Sequence, residues 1–158
     1  MKLAVCAVVT ALFVCTVSVG HAKKKVTEPI VGPDLEATSL SVKSKTRNLV
    51  TSINNVTVSL KNIGDADAPN SQITYYLSLD DVLTTQVDAL NPTVDTVLHT
   101  QSLGKVKAGK TKKSTLGGGH LKQAGATQGN YIIAVVDSKN NITEVDEWNN
   151  IVVSAPIK

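Results

Sequence analysis

The 158-residue chain carries 16 Lys and Arg against 13 Asp and Glu, a net charge of +3, and only 3% aromatic residues. That is too weak a basic balance, with too few stacking side chains, for a nucleic-acid binder. Both cysteines, Cys6 and Cys15, fall inside the N-terminal apolar run, which excludes disulfides, thiolate zinc sites and thiol nucleophiles from everything that follows it.

Lys2, the apolar run Leu3 to Val19, and small residues Gly20 and Ala22 have the three zones of a secretory signal peptide, with cleavage expected after Ala22. An uncleaved anchor is the competing reading, but the run is shorter than the roughly 20 residues a spanning helix needs. The expected product is secreted or periplasmic, with no membrane span in the mature chain. The roughly 136 residues after Ala22 suit a single domain. Residues 23–33, with Lys23, Lys24 and Lys25, read as a flexible lead, and 34–155 as the folded domain.

From Asp34 the pattern is that of strands. Leu35, Ala37, Leu40 and Val42 break alternation once, which predicts a first strand with a bulge or a change of sheet. Val56, Val58 and Leu60 alternate with Thr57, Ser59 and Lys61 as a half-buried strand does. The segment Asn62 to Pro69 is a reversal, with Gly64 free to take a positive φ and Asn62, Asp65 and Pro69 as turn formers. Tyr75 to Ser78 ends a third strand, and a long connection runs from Asp80 to Thr96, a length that in compact domains is often functional or mobile. A fourth strand is predicted to run to about Leu103. The Lys107-Ala108-Gly109-Lys110 turn leads to a fifth, ending near Leu116, and Gly117-Gly118-Gly119 breaks it.

Tyr131 to Val136 is apolar throughout and is stopped by the turn-forming cluster Asp137 to Asn141. Tyr131, Ile133 and Val135 are expected to face the core. Ile132, Ala134 and Val136 then form an outer strip needing cover. After the turn, a last strand resumes at Ile142, is interrupted around Trp148, and closes at Val153. Seven strands with turn signals between them predict an all-β, seven-stranded antiparallel β-sandwich with Greek-key connections.

Four motifs carry a family resemblance. They are Gly129-x-Tyr131 with a strand ending in Asp137 and then Glu147-x-Asn149-Asn150; Lys61-Asn62-x-Gly64; Pro33-Asp34-Leu35 with Ser39-Leu40; and Tyr75-Tyr76-Leu77-Ser78-x-Asp80. In this order, from about Pro33 to Val153, the chain resembles the CARDB domain, the cell-adhesion-related module found in bacteria. The resemblance implies an immunoglobulin/fibronectin-III-like sandwich and an adhesion theme. It departs from the family in the longer Asp80 to Thr96 connection.

Candidate site residues follow from the turns. Asp137, Asn140 and Glu144, with Asp65 and Asp67 expected at the same end, offer the oxygen ligands that a weak extracellular calcium site uses; the preferred reading is that they are ordinary turn residues and acids that keep edges soluble. Tyr131, just after Gly129, sits where such sandwiches place a tyrosine corner. Trp148, among Glu147, Asn149 and Asn150, reads as a lid over the end of the core or as an exposed recognition residue, the lid being preferred. Lys105, Lys107, Lys110, Lys112 and Lys113 surround one turn, as contacts for an acidic polymer or as guards of an exposed edge. Asn55-Val56-Thr57 and Asn141-Ile142-Thr143 match the glycosylation sequon by chance in a bacterial-type chain. His99 and His120 form no metal-binding pair, and no serine lies in a nucleophile elbow. The expected function is therefore non-catalytic: an exported binding or adhesion-type module of the cell envelope, meeting an envelope protein or polysaccharide. Its alternatives are a calcium-stabilised module, a subunit of an envelope assembly, and a secreted enzyme or inhibitor.

Overall fold

The computed structural model describes residues 31–47, 50–86, 93–118, 121 and 128–158. The predicted signal segment, the lead up to residue 30 and His120 lie outside them. Among the described residues there are seven strands: β1 (Leu35–Arg47), β2 (Val50–Asn62), β3 (Ser71–Ser78), β4 (Thr96–Leu103), β5 (Thr111–Gly117), β6 (Tyr131–Val136) and β7 (Ile151–Val153). They form two sheets, β1-β2-β5 and β4-β3-β6-β7, in which every neighbouring pair is antiparallel.

One apolar core joins the sheets. Val56, Val58 and Leu60 of β2 and Leu116 of β5 enter it from one side, and Ile73 and Tyr75 of β3 and Ile132, Ala134 and Val136 of β6 from the other. The alternation of β2 dictates its face, as the sequence predicts. β1 carries register shifts between Ala37 and Ser39 and between Lys43 and Ser44, the first of which is the bulge expected from its broken alternation. The β1–β2 hairpin runs on to Arg47 and Val50, through residues too polar to show a period.

Two expectations are corrected. The face of β6 is the reverse of the one read from its sequence. Ile132, Ala134 and Val136 pair with Leu77, Tyr75 and Ile73, the core-facing residues of β3, whereas Tyr131, Ile133 and Val135 pair with Ser78, Tyr76 and Thr74 on the outer face. A run that is apolar at every position has no period with which to choose a face, and a shift of one residue exchanges the two. The last strand, in turn, does not resume at Ile142. Residues 142–150 form a loop, and β7 is three residues long. Side-chain oxygens compete with the ladder for its backbone: Glu144 N–H donates to Glu147 Oε1 (2.9 Å) and Trp148 N–H to Asp146 Oδ1 (2.9 Å).

Tyr75, 0% exposed, is the largest fully buried side chain among the described residues. Burial raises the pKa of its hydroxyl, an effect partly offset by Ser114 on the opposite sheet. No hydrogen bond of ordinary geometry satisfies that hydroxyl. Tyr75→Phe is therefore expected to change stability by less than about 1 kcal/mol, and Tyr75→Ala to cost about 3–5 kcal/mol through the cavity it leaves. Urea unfolding measures both, and a loss above about 2 kcal/mol in the phenylalanine variant contradicts an unbonded hydroxyl.

Candidate functional site

Several of the candidate residues, Glu144, Asn150, Asp65 and Gly64 among them, lie where the chain enters the domain. Gly32 to Leu35 passes between the turn after β2 and the loop before β7, and each side grips it. On the first side stands Asn62, 0% exposed at the end of β2. Its Oδ1 accepts the N–H groups of Asp34 (3.1 Å) and Gly64 (3.1 Å), and its Nδ2 donates to the carbonyls of Ala66 (2.8 Å) and Val106 (3.0 Å). Both amide hydrogens and the oxygen are used, so one side chain ties together three segments of backbone. Ile63 N–H adds a bond to the Asp34 carbonyl (2.7 Å).

Gly64 is present for space. A Cβ there would lie 2.1 Å from the Gly32 oxygen and 2.7 Å from the Asp34 nitrogen. The positive φ expected at Gly64 belongs instead to Asp137 (46°), Asn140 (49°), Gly109 (68°) and Gly129 (89°).

On the second side Glu144 is buried, and its carboxylate accepts Leu35 N–H (2.8 Å) and Asn150 Nδ2–H (2.5 Å). Val145 N–H donates to the Pro33 carbonyl (3.2 Å), and Asn149 Nδ2–H to Asp34 Oδ1 (2.7 Å). Asp137, also buried, closes its own turn: Oδ2 accepts Ile142 N–H (2.8 Å) and its carbonyl accepts Asn140 N–H (2.7 Å). Burial pushes the Glu144 carboxyl up to about 7. The Asn150 amide and Leu35 N–H pull the other way, and the charges of Asp137 and Glu147 add to the rise.

The five proposed calcium ligands are not drawn into one cluster. Asp137 and Glu144 share a buried neighbourhood with Asn150, while Asn140 is exposed. Asp65 and Asp67 lie at the same end of the domain but are turned to other tasks. Asp65 Oδ1 accepts Gly32 N–H (2.8 Å). Asp67 pairs with Lys105 (2.7 Å) and accepts Ala108 N–H (3.0 Å), and the two hold its carboxyl below the usual range. Among the described residues, no group of three or more His, Cys, Asp or Glu is placed to hold a metal ion.

Trp148 is 92% exposed, which corrects its reading as a lid over the core; its backbone is held within its own turn by Asp146. Tyr131 is half-buried opposite Ser78, at the head of β6, and Gly129 N–H is fixed to the Ile157 carbonyl (3.0 Å). Of the lysines around the β5 turn, Lys105 is paired with Asp67 and Lys112 Nζ donates to the Gly104 carbonyl (2.6 Å). At the opposite end of the domain the long connection is tied at its base, where Thr84 N–H meets Asp95 Oδ2 and Asp95 N–H meets the Thr84 carbonyl, each at 2.8 Å. Leu79, Val82, Val94 and Val97 are exposed there. Sequence reasoning took Asn62 only as a turn former; the signal of its wider role was its place in Lys61-Asn62-x-Gly64.

Asn62→Ala leaves two N–H groups and two carbonyls without their partner and is expected to cost on the order of 3 kcal/mol or more in urea unfolding. A loss below about 1 kcal/mol would mean that water replaces the amide.

Glu144 also makes stability depend on pH. Its folded pKa of about 7 lies above the ordinary 4.5, so the folded chain holds this proton more tightly than the unfolded one. The contribution is full below about 4.5, falls as pH rises towards 7, and is flat above. In chelator, the stability of wild type relative to Glu144→Gln is expected to fall by on the order of 3 kcal/mol across that window, and a difference that is constant with pH refutes the assignment.

The CARDB family model matches residues 32–154. Among solved structures, the chain is similar to a domain described as a cell surface protein from Methanosarcina acetivorans, at TM-score 0.55 and 18% identity over 78% of this chain and 90% of that one. It is also similar to the CARDB domain of a Pyrococcus furiosus protein in complex with di-metal ions, at TM-score 0.48 and 19% identity over 78% of this chain and 85% of that one. A β-D-glucoside glucohydrolase from Trichoderma reesei matches at TM-score 0.42 and 13% identity, over 78% of this chain but 19% of the enzyme. No curated protein matches. Because the family match runs unbroken from the gripped segment at Gly32 to Ser154, just past β7, the chain belongs to the CARDB family.

Proposed function

We propose that this chain is an exported, non-catalytic binding module of the bacterial cell envelope, acting in adhesion or as a spacer, with an envelope protein or polysaccharide as its partner. The observation that carries the reading is the match of one adhesion-related family model over residues 32–154. The signal-like segment before Lys23 supports export. The sheet orders β1-β2-β5 and β4-β3-β6-β7 support immunoglobulin-type, Greek-key connectivity. Exposed Leu79, Val82, Val94 and Val97, together with Trp148, are part of the apolar surface available to a partner.

A calcium-stabilised module is the second reading, favoured by buried oxygens of Asp137 and Asn150 that no donor meets.

Cell fractionation followed by mass measurement is expected to find the chain in the envelope or medium, beginning at Lys23. The purified protein is expected to sediment saturably with isolated envelopes. Leu79→Asp combined with Val82→Asp is expected to weaken that retention at least tenfold. Full-length chain in the cytosol, or no saturable binding, overturns the proposal.

A further inference from the structure

Seven buried side-chain oxygens of the described residues lack a hydrogen-bond partner, and three of them, Asp137 Oδ1, Asn149 Oδ1 and Asn150 Oδ1, come from the loop before β7 and its flanks. Asp137 is 4% exposed and Asn150 5%. A buried acceptor without a donor is costly, and for a carboxylate oxygen the cost is greater than for a neutral one.

Two of these atoms share one neighbourhood. Asn150 Nδ2 donates to the Glu144 carboxylate, and because the amide's nitrogen and oxygen share one carbon, its Oδ1 lies within one amide group of that carboxylate. Val136 N–H on the Asn150 carbonyl (2.8 Å) sets Asn150 against the end of β6, where Asp137 follows, and the charge of Asp137 is felt at Glu144. The unmet groups are all oxygens and all acceptors. A water molecule could supply two hydrogens but no charge, whereas the Asp137 and Glu144 carboxylates, once both are ionised, leave negative charge to be balanced. With no sulfur or imidazole in the set, the ligand chemistry is that of a hard cation, and flexible oxygen coordination from a loop favours calcium over magnesium or zinc.

We propose that Asp137 Oδ1, Asn150 Oδ1 and the Glu144 carboxylate hold one calcium ion, with water completing its coordination. The site rests on the calcium reading above and replaces its ligand set: Asp65, Asp67 and Asn140 take no part. Because Glu144 also accepts Leu35 N–H, the ion joins the end of β6, the loop, the start of β7 and the start of β1.

The test is calorimetric titration of the metal-free protein with calcium chloride, with Tm measured in calcium and in chelator. One ion per chain is expected, with Kd on the order of 0.1–1 mM, as in extracellular modules, and Tm rising with calcium. Asp137→Asn keeps an oxygen for Ile142 N–H and suits the positive φ, so it should fold and weaken calcium binding at least tenfold; Asp65→Asn should leave binding unchanged. Asn150→Asp adds a charge to the ligand set and should tighten binding several-fold, which keeps the proposal testable if Asp137→Asn fails to fold. The absence of both heat and Tm change at about 10 mM calcium overturns the site and the calcium reading together. A calcium-induced rise in Tm equal in wild type and Asp137→Asn, unchanged affinity in Asn150→Asp, or an equal response to magnesium leaves calcium stabilisation open to another location and overturns this ligand set.

Discussion

The fold depends on the seam through which the chain enters it. Gly32 to Leu35 brings its peptide groups inside the domain before β1 is paired, and groups buried there must find partners or destabilise the structure. From one side Asn62 accepts Asp34 N–H, one of the four hydrogen bonds its single amide makes. It also fixes Ala66 and Val106, so the β2–β3 connection and the approach to β5 are set by the same side chain as the start of β1. Gly64 allows the approach, since any Cβ there would overlap the Gly32 carbonyl.

The two walls of the seam are satisfied to different degrees, and physical consequences follow. Around Asn62 every polar atom of the side chain is used, as expected of a network whose main effect is to specify one arrangement. Around Glu144 the donors are too few. The carboxylate has Leu35 N–H and the Asn150 amide, yet Asp137 Oδ1 and Asn150 Oδ1 are buried with none. Burial raises the cost of ionising Glu144, and the charges of Asp137 and Glu147 add to it, so its carboxyl moves up to about 7. The first wall holds the fold in a way that is insensitive to conditions. The second responds to protons.

Much of the architecture was legible in the sequence. β2 showed its buried face through Val56, Val58 and Leu60, and the limits of β4, β5 and β6 followed from turn chemistry at Lys107 to Lys110 and Asp137 to Asn141. What was not legible has identifiable causes. β6 has six apolar residues in succession, and only its register against β3 decides that Ile132 rather than Ile133 enters the core. The loop at 142–150 contains Ile142 and Val145, which look like a strand resuming. Its backbone is instead claimed by Glu147 and Asp146, a competition that spacing alone does not reveal. Trp148 was read inwards because a large aromatic ring gains from burial, but the turn that holds its backbone leaves the indole in solvent. Of the calcium candidates, the acids were identifiable as turn residues; which ones meet depended on partners such as Lys105 for Asp67 and Gly32 for Asp65.

Three of the four motifs that carry the resemblance to CARDB domains meet in this seam. Asp34 and Leu35, Asn62 and Gly64, and Asn149 and Asn150 bond to or crowd one another or Glu144 directly, and the remaining motif contributes Tyr75 to the core. These residues are engaged in building the sandwich, so the match reports how the domain holds together more than what it touches. Sandwiches of one architecture serve unrelated roles for this reason: the groups that specify the fold are buried, and recognition is left to surfaces the fold does not constrain. Leu79, Val82, Val94 and Val97, exposed beside the tied base of the long connection, belong to the part of the surface that the seam does not constrain. They lie at the end of β3 and the start of β4, remote from the seam, where substitution can alter binding without disturbing the network around Asn62.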